Sequence, residues 1–134
     1  EVWQQRISNV RANGIEVIAD AVMERYFHDQ FRSEKAGVVA AFRRRLVSTD
    51  QDGYIGCCNA VGTVDTTARL PKIAIPTLVV AGALDQGAPV SMSETMVEKI
   101  PGARLVVLEG ASHLAVTEQP KAFAQAVMDF IATL

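Results

Sequence analysis

Asp85 and His113 are the residues of this sequence whose types and placing could do chemistry together. Each follows a short apolar run, Thr77 to Ala81 in the first case and Arg104 to Leu108 in the second, with one helix-like stretch between them. If the two runs are neighbouring strands of a parallel sheet, about 4.8 Å apart, the loops at their carboxyl ends open on one edge of it. Both side chains then come within reach of one another. A carboxylate in that position holds the Nδ1 proton of the imidazole, fixes its tautomer and stabilises the cation formed when Nε2 accepts a proton. The pair would be the orienting acid and the general base of a nucleophilic mechanism. Each residue also has a plainer reading: His113 as a loop histidine that caps the last helix or bonds a local carbonyl, and Asp85 as a turn residue bonded to its own backbone.

A base needs a nucleophile to serve. The string G-x-S-x-G, a sharp strand-to-helix turn that exposes a serine, does not occur in the 134 residues. Gly110-Ala111-Ser112-His113-Leu114 comes nearest but lacks the second glycine. Ser112 and His113 are adjacent on an extended loop, so their side chains are expected to point in different directions. Ser8, Ser33, Ser48, Ser91 and Ser93 have no such turn around them. The cysteines, Cys57 and Cys58, are neighbours, an awkward geometry for a mutual disulfide, and are expected to be reduced thiols packed in a helix. Together with His28 and His113 they lack the spaced Cys or His pairs of a zinc site. No metal and no cofactor is expected.

The elements that must position Asp85 and His113 change in kind along the chain. From Gly14 to Phe27, Ile15, Ile18, Ala19, Val22, Met23 and Tyr26 recur at the spacing of one helix face. Tyr26 and Phe27, at its end, read as core. A second helix is expected from Glu34 to Val47, with Val38, Val39, Phe42 and Leu46 on one side and Arg43, Arg44 and Arg45 as a solvated face. The turn formers of "STDQDGY" precede a third helix from about Tyr54 to Val64, with Asp65 ending it or bonding a neighbouring loop. No run before Asp65 reads as a buried strand.

Beyond Asp65 strand and helix alternate. "KIAIPTLVVAG" is continuously apolar and β-branched, as suits a strand covered on both faces. "PVSMSETMVEKIPG" has Ser91 and Glu94 at capping-box spacing, with Met92, Met96 and Ile100 on one face. After the strand Arg104 to Leu108, Thr117 is the expected N-cap of a last helix, with Pro120 in its first turn and Phe123, Val127, Phe130 and Ile131 on one face. Strand, helix, strand, helix is the grammar of an open α/β sheet. Two strands cannot hide two apolar sheet faces, so the expectation is a helical lid segment, residues 1–52, followed by residues 53–134 as the last portion of a larger doubly wound domain.

Composition bounds the partners. At 49% hydrophobic and 21% charged residues the chain is too apolar for disorder. Its net charge of −2 comes from interspersed charges, which offer no field for nucleic acid or an anionic membrane. No apolar run approaches the roughly 20 residues of a membrane helix, and the amino terminus has no signal architecture. A cytoplasmic protein is expected.

The stretch "IPTLVVAGALDQGAPVSMSETMVEKIPGARLVVLEGASHLAVTEQPKAFAQAVMDFI" resembles the carboxyl-terminal part of the α/β-hydrolase family. G-x-x-D at Gly82 to Asp85, G-x-S-H at Gly110 to His113 and the E-x-P helix start carry the likeness, and the chain order of acid before histidine agrees with it. "WQQRISNVRANGIEVIADAVMERYF" and "GYIGCCNAVGTVD" look like the lid and following helix of the 3-oxoadipate enol-lactonases within that family. The resemblance spans essentially the whole chain but only the carboxyl-terminal half of the family's length. It implies Asp85 as orienter and His113 as the base that activates a serine, then a water. The substrate it implies is a small lactone or ester, here a carboxylated enol-lactone opened to 3-oxoadipate in the β-ketoadipate branch of aromatic catabolism. Trp3 and Arg6, at the start of the lid, would contact the lactone ring and its carboxylate, or else pack the lid. The earlier core strands, the serine and the oxyanion-hole loop of the family have no counterpart in this sequence. The chain is therefore expected to be inactive alone and to need the amino-terminal half of the fold as its partner. Other hydrolase activities on the same fold (ester, epoxide or carbon-carbon bond cleavage) and a non-catalytic, self-associating fragment, such as a homo-oligomer, stand as alternatives.

Overall fold

A computed structural model describes residues 2–134, and the change of grammar near Asp65 divides it. The first part is helical. Helix α1 (Val2–Asn13) ends at Gly14, whose φ of +82° suits glycine and whose N–H donates to Val10 O at 2.8 Å. Helix α2 (Glu16–Tyr26) buries Ile18, Ala19, Val22 and Met23, the face its periodicity predicts, and Phe27 at its end is fully buried. Phe27 stacks on Phe31 and meets Phe42 edge-on, each at 5.3 Å between ring centres.

The helix expected from Glu34 to Val47 is present as α4 (Ala36–Val47), and a short helix that the pattern does not announce, α3 (Asp29–Glu34), precedes it, the two separated at Lys35, which leaves the helical region. Val39, Phe42 and Leu46 of α4 pack on the core as predicted, whereas Val38 is exposed. Arg43 is not simply solvated; it reaches back to Asp20 and Glu16 of α2, at 2.7 and 3.2 Å. Helix α5 (Gln51–Thr63) starts three residues before Tyr54, the predicted start, because Asp50 caps it, accepting from Gly53 N at 2.7 Å. The boundary expected after residue 52 thus falls inside α5, which packs on α1. Ile7, Val10, Ile15, Ile18, Val22, Met23, Phe27, Ile55 and Cys58 form one core, with Cys57 exposed outside it. Each large apolar side chain so buried contributes about 1.5–3 kcal/mol.

Asp65 then accepts from Thr67 N at 2.9 Å, opening a 3₁₀ turn over Thr67–Lys72. Strand β1 (Leu78–Gly82), helix α6 (Val90–Lys99) and strand β2 (Arg104–Leu108) follow, and the two strands pair in parallel from Leu78↔Arg104 to Gly82↔Leu108. Their apolar runs exceed the cover found here: Leu105, Val106 and Val107 remain half-buried rather than sealed on both faces. The Ser91 capping box does not form; α6 begins at Val90 after Pro89 as N-cap, with no side-chain cap bond, since the proline presets an entry two residues earlier. On its predicted apolar face only Ile100 is buried, while Met92 and Met96 are exposed.

Thr117 is likewise not an N-cap. A one-turn helix α7 (Ala115–Glu118) contains it, and α8 (Pro120–Ile131) starts afresh with proline in its first turn, where no N–H is needed. Phe123 packs on a small second core of Leu108, Ala111 and Ala115. No helix among the described residues is long and apolar enough to cross a membrane.

Candidate active site

Because β1 and β2 are hydrogen-bonded neighbours in parallel, the loops after them leave the same sheet edge. The first loop is held to the second by Ala83 N donating to Leu108 O at 3.1 Å and Leu84 N to Ala111 O at 2.9 Å. Gly82 permits this approach: a side chain there would collide with the carbonyl oxygens of Ala111 and Ser112.

Asp85 is fixed by its own turn. Its Oδ1 accepts from Gly87 N at 2.7 Å and from Ala88 N at 2.9 Å, which aims Oδ2 at the imidazole. His113 Nδ1 lies 2.8 Å from that oxygen. A carboxylate only accepts, so Nδ1 carries the proton in this contact, leaving the lone pair on Nε2. Asp85 is therefore a turn residue bonded to its own backbone, and those turn bonds leave its other oxygen for the histidine. The carboxylate is 8% exposed and the imidazole 38%, so the aspartate is withdrawn from water while the histidine remains accessible.

Tyr26 packs on the helical core, as its spacing predicts, and also lies over the imidazole, with ring centres 5.2 Å apart and planes inclined by 23°. Three backbone-directed bonds accompany it. Leu114 N donates to Tyr26 O at 3.1 Å, Ser112 Oγ donates to Arg25 O at 3.1 Å, and His28 N donates to Glu118 Oε1 at 2.9 Å. The end of α2 is thereby tied to the loop that carries His113. Ser112 itself is 4% exposed and its hydroxyl is engaged, which suits a structural residue rather than a nucleophile. A cavity of about 540 Å³, lined in part by Arg25, His28, Asp29, Leu84, Asp85 and Ser112, opens beside the acid.

Trp3 and Arg6 are elsewhere. The Arg6 guanidinium lies 5.1 Å from the centre of the Trp3 ring, and Trp3 packs against Gly62 of α5. Arg6 lines a different groove with Gln5, Asn9 and Ile18. It also neighbours Tyr54, whose phenol burial pushes up while the arginine charge works in the opposite direction. Among the described residues no three His, Cys, Asp or Glu side chains converge as a metal site requires. Tyr26, His28 and Glu118 were missed because their partners are far away in sequence; only the E-x-P string around Glu118 marked the place, and it reads as a helix start.

The fold agrees with that of known proteins. A family profile described as TAP-like protein, of the α/β-hydrolase type, matches residues 48–134. The chain belongs to the α/β-hydrolase family. A 3-oxoadipate enol-lactonase of Acinetobacter baylyi is 36% identical over 127 residues, 95% of this chain and 47% of the relative; a second from the same organism is 30% identical over 132 residues, 98% and 49%. The crystal structure of the enol-lactonase from Burkholderia xenovorans LB400 superposes with a TM-score of 0.94 at 34% identity, over 98% of this chain and 50% of that one. The chain thus spans about half the length of the relatives it matches and corresponds to the carboxyl-terminal half of the α/β-hydrolase fold.

Proposed function

We propose that this chain carries the orienting acid, Asp85, and the general base, His113, of a serine-type hydrolase that opens a carboxylated enol-lactone, with 3-oxoadipate enol-lactone giving 3-oxoadipate. The observation that carries the chemistry is the 2.8 Å contact between Asp85 Oδ2 and His113 Nδ1, with the imidazole still accessible. The enol-lactonase relatives support the substrate class. In this reading the serine and the oxyanion-hole amides lie outside these 134 residues, in an amino-terminal half that seats residues 1–52 as a lid. Nε2 accepts the serine proton as Oγ attacks the lactone carbonyl, and the imidazolium is held by Asp85. It then protonates the departing enol oxygen, leaving an acyl-enzyme. Water, deprotonated by the same nitrogen, attacks the ester; the serine recovers its proton and the enol tautomerises to the 3-oxo acid. We place the enzyme in the cytoplasm.

The isolated chain is then inactive, and its uncovered apolar surface, including Met92, Met96, Met128, Ile131 and Leu134, favours binding the complementary half or self-association. The test joins the amino-terminal half of the Burkholderia xenovorans enol-lactonase to this chain. The chimera is expected to hydrolyse the enol-lactone, His113→Ala to lower kcat by about 10⁶-fold and Asp85→Asn by about 10⁴-fold. Turnover by the chain alone, or a chimera indifferent to His113→Ala, would refute the proposal.

A further inference from the structure

Asp85 fixes one nitrogen of His113, but a single hydrogen bond does not fix the loop on which the imidazole rides. The residue that reaches the backbone of that loop is Glu118. Its side chain has no exposure to solvent, and it ends the one-turn helix α7. Oε2 accepts from the N–H of Ser112, the residue immediately before His113. Oε1 accepts from His28 N at 2.9 Å and faces His28 Nδ1 at 2.7 Å. A carboxylate has about four acceptor positions, and three donors from two distant parts of the chain converge on this one. A buried charge is tolerated only when it is bonded in this way.

The arrangement is a clasp. On one side stand Arg25 and Tyr26 at the end of α2 and His28 at the start of α3; on the other stand Ser112, Leu114 and Glu118. Between them the Tyr26 ring rests on the His113 imidazole. We propose that Glu118 is a positioning residue for His113: through Ser112 N–H and through His28 it locks the His113 loop to the end of α2, so that Tyr26 covers one face of the imidazole and Nδ1 meets Asp85. The importance of that lock for turnover rests on His113 being the base, as proposed above, whereas the lock itself is a matter of geometry. Glutamine is a near-isostere at position 118, yet its NH₂ group must face either Ser112 N–H or His28, setting donor against donor.

The test uses the whole 134-residue chain, labelled with ¹⁵N and ¹³C. It holds two histidines, so their ring resonances are readily told apart. In the wild type a cross-relaxation peak is expected to join the Tyr26 and His113 rings, and the Ser112 amide to exchange slowly. Glu118→Gln is expected to speed Ser112 amide exchange by about tenfold or more and to abolish the ring-to-ring peak, while the methyl resonances of Ile7, Val10 and Ile55 stay in place. A folded Glu118→Gln chain that keeps both signals overturns the proposal. If Glu118→Gln loses the core methyl signals, His28→Ala decides: a weakened ring-to-ring peak supports the clasp, and an unchanged one overturns it. Asp85→Asn separates the two readings, because it removes the acceptor of Nδ1 and is expected to leave the Ser112 amide protected.

Discussion

Substituting alanine for Gly82 probes the contact between the loops that carry Asp85 and His113. Glycine is not needed there for its backbone freedom, since among the described residues Gly14, Gly102 and Gly110 are the ones with positive φ. It is needed for space. A Cβ at position 82 would stand 2.5 Å from Ala111 O and also strike Ser112 O, about 1 Å inside ordinary contact. Both obstacles are backbone, so the end of β1 or the 111–113 loop must move. Overpacking of this kind costs about 1–3 kcal/mol. Weakening Leu84 N to Ala111 O and Ala83 N to Leu108 O adds up to about 1 kcal/mol for each bond lost. A loss of about 2–4 kcal/mol follows, and with a urea dependence of about 2 kcal/mol/M the unfolding midpoint falls by about 1–2 M. His113 moves with Ser112, stretching its 2.8 Å bond to Asp85, and in the chimeric enzyme such a displacement lowers kcat by about 100-fold. Urea unfolding followed by circular dichroism, with His113 ring resonances read in parallel, measures both. A midpoint within about 0.2 M of wild type, together with unmoved His113 resonances, would refute the steric argument.

Cys57 is exposed and Cys58 buried, so a thiol reagent is expected to modify Cys57 rapidly in the native chain and Cys58 only after denaturation; equal rates in the native state would contradict the packing of α5. The Arg43 guanidinium bonded to Asp20 holds that carboxyl below its ordinary range. The pair's stabilisation is therefore present above the ordinary carboxylate pKa and is lost as pH falls through the lowered one. Both groups are exposed, so the effect is small and screened by salt. The Tm difference between wild type and Asp20→Asn should be measurable at neutral pH in low salt and close in strong acid, and a difference that widened in acid would reverse the sign of the reasoning.

Local patterns in the sequence determined a good deal. The helix face of α2, the extent of β2 and the parallel pairing expected of the two apolar runs are all recovered, because periodicity and β-branched composition act within a few residues. That pairing was enough to bring Asp85 to His113. Starts of elements were less legible: Ser91 and Thr117 look like caps, yet Pro89 and Pro120 set the entries of α6 and α8, since a fixed φ and a missing N–H outweigh an optional side-chain bond. The outward placing of Met92 and Met96 was equally hidden, because periodicity shows that a face is apolar but not what covers it.

Only the tertiary structure decided how His113 is held. Tyr26 and His28 belong to a helical segment whose pattern reads as core or surface, and Glu118 reads as the start of a helix. Their meeting around the His113 loop joins residues as far apart as His28 and Glu118. Contacts of that kind depend on how the helical part docks against the strand loops, and no local propensity records them. The sequence by itself therefore determined the acid–histidine pair and the sheet edge on which it sits. The packing of α2 against that edge determined the clasp around it, because a hydrogen bond between distant segments exists only once burial has brought their backbones together.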